Sequence, residues 1–261
     1  MGYKDRYDPH LLSPISRQPQ REEIGIQAPL PFWGADIWTA YELSWIDARG
    51  KPQIAIAALY FPADSPQLIE SKSLKQYLNS FNQTSFENAH SVQKILLQDL
   101  SRASSSPVEV LLKLPEVFGQ EQIEELAGES LDRLEVGVRD YRVNPDFLEV
   151  GAPVVEETLV SNLLKTNCPI TGQPDWAAIQ IRYRGPRMKR AGLLRYLVSY
   201  RQHQDFHENC VERIFMDLSR RCRPEKLTVY ARYTRRGGID INPFRTNFET
   251  TRPVHFRTAR Q

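Results

Sequence analysis

Apolar and polar positions alternate along the chain in two recurring ways. Ile37 to Trp45 and Gln53 to Phe61 are apolar, aromatic-rich runs separated by Asp47-Ala48-Arg49-Gly50-Lys51-Pro52, which predicts a β-hairpin closed by a turn-forming loop. Pro62 to Pro66 ends it. From Leu68 to Leu78 the pattern changes period: Leu74, Tyr77, Leu78 and Phe81 recur at helical spacing. A longer amphipathic helix is predicted from Ala89 to Ser101, with Val92, Ile95, Leu96 and Leu100 on its apolar face. Pro107 to Leu114 reads as a strand, and its continuous Val110 to Leu112 run predicts burial on both faces. Residues 1–30 are polar, with Pro9, Pro14 and Pro19, and read as an irregular lead-in. The acidic stretch 115–150 predicts no element.

The second half repeats the plan. A strand is expected over Ala177 to Tyr183, helices over Leu193 to Tyr200 and Glu208 to Arg221, and a strand over Leu227 to Tyr233. The letters repeat too. Leu78, Ser80, Phe81 and Gln83 match Leu197, Ser199, Tyr200 and Gln202, and Phe86 matches Phe206. Asp99-Leu100-Ser101-Arg102 recurs as Asp217-Leu218-Ser219-Arg220, and Pro107 falls against Pro224. A near-constant offset over so long a run indicates a tandem duplication. Each half then runs strands, two helices, strands, an α+β arrangement with helices on one face of an antiparallel sheet. The expected domains are 31–150 and 151–261.

Charge divides along the same line. Residues 1–150 carry 14 Lys and Arg against 22 Asp and Glu, or −8; residues 151–261 carry 20 against 10, or +10. The basic half is the natural place for a phosphorylated ligand, with nucleic acid as the rival explanation. No run of eighteen apolar residues predicts a membrane helix, and the N-terminus shows no apolar secretory core. Met1-Gly2 lacks the Ser or Thr of a myristoylation signal. Cys168, Cys210 and Cys222 follow no disulfide spacing, which points to a reducing, cytoplasmic setting.

The candidate chemistry centres on Ser161 to Trp176, a Pro-, Gly- and Asn-punctuated segment that reads as a turn-rich loop around Cys168. A free cysteine usually packs as an inert small hydrophobe. Here an acid, Asp175, follows seven residues on, with Trp176 beside it as a desolvating surface. A thiolate adding to an electrophilic carbon needs a proton delivered to the neighbouring atom, and a partly buried carboxyl can supply it. The alternative is that Asp175 caps a turn. Glu70-Ser71-Lys72 opens a helix, where Glu70 either caps the amides or accepts from the ring N–H groups of a heterocycle, with Lys72 reaching a phosphate. His203, His207 and Cys210 at i, i+4 and i+7 are a possible zinc set, perhaps with Cys168, although Cys210 also lies on an apolar stripe with Ile214. Two basic clusters stand out: Arg182, Arg184, Arg187, Lys189, Arg190 and Arg195, and Arg232, Arg235 and Arg236 before Gly237-Gly238. The glycines of the second let backbone approach a ligand. Neither a Gly-x-Gly-x-x-Gly nor a Walker A sequence is present.

Together these pieces resemble the NADPH-dependent 7-cyano-7-deazaguanine reductases, the nitrile reductases of the queuosine pathway, in their longer two-domain type. The family's Glu-Ser/Leu-Lys-Ser/Ala-hydrophobic-Lys motif appears as Glu70-Ser71-Lys72-Ser73-Leu74-Lys75, with Gln76 departing from the usual Leu or Tyr. Asn167-Cys168-Pro169 to Asp175-Trp176 is similar to its nucleophile-to-acid segment, and His207-Glu208 to its substrate pair. The resemblance implies a tandem pair of tunnelling-fold domains, the fold shared with GTP cyclohydrolase I. It implies that Cys168 attacks the nitrile carbon to form a thioimide while Asp175 protonates the nitrogen. Ile69, Glu70, Ser71, His207 and Glu208 would then bind the deazaguanine, and Ser71, Lys72, Arg236 and Gly237 would hold NADPH, consumed twice per turnover. It further implies a homodimer, no metal, no membrane and no direct nucleic-acid contact. The rivals are a zinc-dependent cyclohydrolase of the same fold and an RNA-binding module.

Overall fold

The computed structural model describes residues 4–261; the absent myristoylation signal at Met1-Gly2 lies outside the described residues. In chain order the elements are β1 (Pro14–Ser16), α1 (Gln18–Glu23), β2 (Trp33–Ile46), β3 (Pro52–Pro62), β4 (Gln67–Ile69), α2 (Ser71–Asn79), α3 (Ala89–Ser104) and β5 (Glu109–Lys113). They continue with β6 (Glu129–Ser130), β7 (Val150–Asn167), β8 (Pro174–Met188), α4 (Arg190–Ser199), α5 (His207–Cys222), β9 (Lys226–Tyr233) and β10 (Ile239–Thr246). The chain forms two compact units, each assembled from three separate segments. Unit 1 comprises Met1–Gln20, Ala35–Gln122 and Arg235–Ile241; unit 2 comprises Arg21–Gly34, Ile123–Thr234 and Asn242–Gln261.

In unit 1, β3 pairs antiparallel with β2 on one side and with β5 on the other. The β2–β3 register slips between Ala40 and Leu43, a bulge that sets one extra residue on β2 and increases the local twist. Trp38, Trp45, Leu59 and Phe61 from the sheet are buried against Leu74, Tyr77, Phe81, Val92, Leu96 and Leu100 from α2 and α3. Burying each such side chain is worth about 1.5–3 kcal/mol. Asn88 starts α3 by accepting the Ser91 N–H at 2.9 Å, and Ser105 ends it with a left-handed φ of 56°.

Residues 4–30 carry more structure than their polarity predicts. β1 pairs with β4, Tyr7 packs edge-on to Phe81, and Arg17 forms a buried 2.5 Å ion pair with Asp36. Apolar periodicity cannot reveal such a segment, because polar groups anchor it. β5 departs from expectation in the other direction. Val110 is buried but Leu111 is exposed, since β5 pairs on one side only and has one covered face.

In unit 2, β9 pairs with β8, β8 with β7, and the short β6 runs parallel to β7. The odd-numbered residues of β8, Ala177, Ile179, Ile181 and Tyr183, are buried on one face, as the period of two in a strand requires. Leu193, Leu197, Val211, Ile214, Phe215 and Leu218 are buried on α4 and α5. Arg21 reaches Glu212 at 2.7 Å, and Arg245 reaches the same carboxylate oxygen at 2.8 Å, so one buried acid is clasped by two guanidiniums. The β7–β8 register also slips, between Ser161 and Leu164. Sequence periodicity did not reveal β7 over Val150–Asn167 or β10. β7 is largely exposed over its first residues, and β10 is polar yet fully buried.

Candidate active site

The segment expected as a sixteen-residue loop is mostly strand. β7 continues to Asn167 and β8 begins at Pro174, leaving residues 168–173 as the hairpin tip. The tip is closed by its own backbone: the Cys168 N–H donates to Gln173 O at 2.9 Å, and the Gly172 N–H returns to Cys168 O at 2.9 Å. Gly172 sits at a φ of +69°, which only glycine adopts without strain. Asn167 is held from the side as well. Its N–H donates to His203 O at 2.8 Å, and its carbonyl accepts the Asp205 N–H at 3.2 Å. The residue before Cys168 is therefore fixed to the segment that leads into α5, and Cys168 is buried.

Asp175 faces Thr166 across the hairpin and is 5% exposed, on the same face of β8 as Ala177, whose partner on β9 is Tyr233. Its Oδ2 lies 3.2 Å from His207 Nε2 at the start of α5. The His207 ring stacks flat on Tyr233, with centroids 3.7 Å apart and 8° between planes, and His207 Nδ1 is buried without a hydrogen-bond partner. Burial holds the Tyr233 phenol well above its ordinary pKa. The surface that desolvates Asp175 is thus His207 with Tyr233. Trp176 is its neighbour on the strand and so projects from the opposite face, where Arg201 lies over its ring at 5.4 Å. Adjacency in sequence was the wrong guide to the face. Glu208, in the first turn of α5, is almost fully buried, where the helix N-terminus favours a carboxylate.

The zinc set read from spacing is not the one the chain assembles. Among the described residues His203, Asp205 and Cys210 bring potential ligand atoms within 4.8 Å of one another, whereas His207 turns to Asp175 and Tyr233. Residues 203–206 precede the helix, so the i, i+4, i+7 pattern does not share one helical face.

Unit 1 holds the other expected residues. Ile69 ends β4, and Glu70 caps α2, its two carboxylate oxygens accepting from the Lys72 N–H at 2.8 Å and the Ser73 N–H at 2.7 Å. Capping alone accounts for an acid at this position, and it also fixes the carboxylate in one orientation. Ser71 is half-buried and Lys72 exposed. Arg236 and Ile239 exchange backbone hydrogen bonds of 2.9 and 3.3 Å around Gly237 and Gly238, whose φ angles of 61° and 78° make a two-residue turn of the primed type. A Cβ on Gly237 would lie 2.7 Å from Lys75 Nζ. Arg236 and Gly237 are therefore brought against α2, the helix that begins with Ser71 and Lys72.

The basic clusters divide by role. Arg182 pairs with Glu249, Arg184 with Glu225, and Arg190 with Glu129 and Glu157, so much of the first cluster is a set of surface ion pairs. Arg232 is buried against Tyr230, Gln261 and Phe256 and is structural. Arg235 lies over the Tyr41 ring at 4.8 Å. Sequence reading missed Tyr233 and Thr166. The signal for Tyr233 was its place at the end of an alternating strand beside Arg232.

A cysteine at a hairpin tip and a buried acid on the returning strand, with a histidine on that acid, are groups suited to thiol chemistry assisted by a carboxyl. Residues 3–112 match the family described as "Nitrile reductase, 7-cyano-7-deazaguanine-reductase N-term", and residues 174–252 match "QueF-like protein". Two matches, one in each half, agree with a tandem α+β chain. The chain is 58% identical over 261 residues to an NADPH-dependent 7-cyano-7-deazaguanine reductase of Burkholderia pseudomallei, covering 99% of this chain and 95% of that one. It is 57% identical over 262 residues to the enzyme of that name from Burkholderia thailandensis, with the same coverage. A solved structure of an archaeosine synthase QueF-Like in the apo form aligns with 38% of this chain and 98% of its own, at 15% identity and a TM-score of 0.33. The chain belongs to the family of NADPH-dependent 7-cyano-7-deazaguanine reductases.

Proposed function

We propose that the chain reduces the nitrile of 7-cyano-7-deazaguanine to the primary amine, 7-aminomethyl-7-deazaguanine, a step toward the queuosine of tRNA. One observation carries the residue assignment: Asn167 is clasped between His203 and Asp205, which fixes Cys168 at the hairpin tip next to the strand that bears Asp175 and the helix that bears His207. In this reading the Cys168 thiolate adds to the nitrile carbon, one C–N π bond breaks, and the nitrogen takes a proton from the Asp175 carboxyl, giving a thioimide. His207 Nε2 keeps Asp175 oriented, and the Tyr233 stack keeps His207 in plane. When the carbon is reduced, the C–S bond breaks and Cys168 departs as thiolate. Glu208, and in unit 1 Ile69, Glu70 and Ser71, are assigned to recognition of the deazapurine, whose ring N–H groups need carboxylate acceptors.

The unit 1 turn suits NADPH. Gly237, where a Cβ would crowd Lys75 Nζ at 2.7 Å, lets the turn lie close to α2, and Ser71, Lys72 and Arg236 add hydroxyl and cationic groups for phosphates. Bound there, NADPH supplies hydride, two equivalents per nitrile. No metal is assigned a part in the reaction.

Among the described residues no helix is long and apolar enough to cross a membrane. We assign the enzyme to the cytoplasm, in keeping with three free thiols, and to a homodimer acting on a free base rather than on nucleic acid. We also take 31–150 and 151–261 as the two copies of the ancestral domain.

Intact-protein mass spectrometry with 7-cyano-7-deazaguanine and no NADPH tests the reading. The expected result is a mass gain equal to the whole nitrile, absent in Cys168→Ala and discharged by NADPH. An adduct that persists in Cys168→Ala, or none in the unmodified chain, would sink the assignment.

A further inference from the structure

Reducing a nitrile to an amine needs a proton twice, and the carboxyl assigned to supply it is buried. Forming the thioimide takes one proton from Asp175. Taking the imine left by the first hydride to the amine requires a second proton at the same nitrogen. Between the two hydride transfers Asp175, which is 5% exposed, has to regain a proton through its neighbours. Three polar atoms there are unused by the fold. His207 Nδ1, Thr166 Oγ1 and the Tyr233 hydroxyl are buried, and none has a hydrogen-bond partner. Thr166 stands directly across the β7–β8 hairpin from Asp175, and partners across strands share a face. His207 Nε2 meets Asp175 Oδ2 at 3.2 Å. Tyr233 lies flat on the His207 ring at 3.7 Å, and its hydroxyl is an electrostatic neighbour of both the Thr166 hydroxyl and Asp175. Buried polar groups are nearly always hydrogen-bonded, so each exception calls for a reason. Three exceptions around one carboxyl share a reason.

We propose that Thr166 and Tyr233 are positioning residues of a buried proton line, which with His207 returns a proton to Asp175 between the two hydride transfers. The inference rests on the roles given above to Cys168 and Asp175. Protons enter from solvent through ordered water, which bonds to buried polar atoms of just this kind. The imidazole takes a proton at Nδ1 from the hydroxyl side and gives one at Nε2 to the Asp175 carboxylate. The balance closes: solvent loses one proton, Asp175 gains one, and each group between them gains and loses one. Burial keeps Tyr233 a neutral phenol, so it passes a proton on only as it receives another.

The missing hydrogen bonds make clean variants available. Tyr233→Phe and Thr166→Val remove no hydrogen bond from the protein, and the phenyl ring keeps the stack on His207, so Tm should hold in both. The test compares two rates in each full-length variant. One is formation of the Cys168 adduct from 7-cyano-7-deazaguanine without NADPH, which needs only the proton Asp175 already holds. The other is steady-state turnover with NADPH, which needs the second proton. Adduct formation is expected to stay within about twofold of the unmodified chain. Turnover should fall about 10²-fold, the lower end of what proton delivery is worth, with a larger solvent deuterium isotope effect. Thr166→Ser, which keeps the hydroxyl, should recover the loss seen in Thr166→Val. Turnover unchanged in both variants, or adduct formation slowed as much as turnover, would overturn the proposal. Absence of any adduct in the unmodified chain would instead remove the nitrile reading beneath it, so the two failures are told apart.

Discussion

At the tip of the β2–β3 hairpin Asp47 donates its N–H to Lys51 O at 2.9 Å; at the tip of β7–β8 Cys168 donates its own to Gln173 O at 2.9 Å. The match extends to the flanks. Ile46, before Asp47, is clasped by Thr84 O at 3.0 Å and the Phe86 N–H at 2.9 Å, as Asn167 is clasped by His203 O and the Asp205 N–H. On the returning strand Gln53 pairs with Trp45, as Asp175 pairs with Thr166. In unit 1 the two tip side chains meet, Gln53 Nε2 donating to Asp47 Oδ2 at 3.2 Å. The frame is the same, and its side chains separate a turn from an active site. An amide and a carboxylate at these places close a loop. A thiol and a carboxyl at the same places, with His207 on the acid, are the groups of the proposed addition to a nitrile.

The most drastic way to break this comparison is to exchange the key pair. Cys168→Ala is expected to abolish adduct and turnover, whereas Asp47→Ala should leave turnover within about twofold and lower Tm slightly, since it removes only turn hydrogen bonds. Steady-state kinetics and adduct mass on both variants check this. Asp175→Asn comes next. It should slow adduct formation and lose about 10²–10⁴-fold in turnover, the usual worth of a positioned proton donor, while Gln53→Ala leaves the rate unchanged.

Alkali tests the halves unequally. Burial raises the pKa of Tyr77 in unit 1 and of Tyr196, Tyr200 and Tyr233 in unit 2. The native state then keeps these protons where the unfolded chain loses them. Each tyrosine contributes stability that is intact below pH 10, its ordinary pKa, and lost above it, at about 1.4 kcal/mol per pH unit. Unit 2 should therefore open first as pH rises, with the tyrosinate absorbance of these buried rings appearing only on opening. Uniform tyrosine titration in the folded protein would contradict this.

The smallest contrast lies inside the helix pairs. Tyr196 donates to Asp217 at 2.7 Å, and Tyr77 donates to Asp99 at 2.7 Å, but Asp99 also receives Tyr7 at 2.6 Å. Tyr196→Phe should cost about 1–3 kcal/mol in urea unfolding and Tyr77→Phe less, because only Asp217 loses its tyrosine donor altogether.

Much of this was legible in the residues. The β2–β3 hairpin, the four long helices and the repeat follow from hydrophobic periods of 2 and 3.6, and the repeat pairs Asp99 with Asp217 before any contact is known. Cys168 and Asp175 stood out by residue type in a segment rich in turn formers. The lead-in, β10 and the extended β7 did not, because their order comes from ion pairs, strand partners and buried polar groups that leave no periodic trace. Trp176 misled for a related reason: a strand sends neighbours to opposite faces, and the partner of Asp175 came from thirty-two residues downstream, at His207.

The buried Glu212 bears on how the two copies have evolved. Its two guanidinium partners, Arg21 and Arg245, lie near opposite ends of the chain. A gene cut at its midpoint would give a second fragment carrying Glu212 and Arg245 without Arg21, and a first fragment carrying Arg21 without its acid. The repeat can still be recognised in the letters, but a cut between its halves would part Glu212 from one of its two guanidiniums.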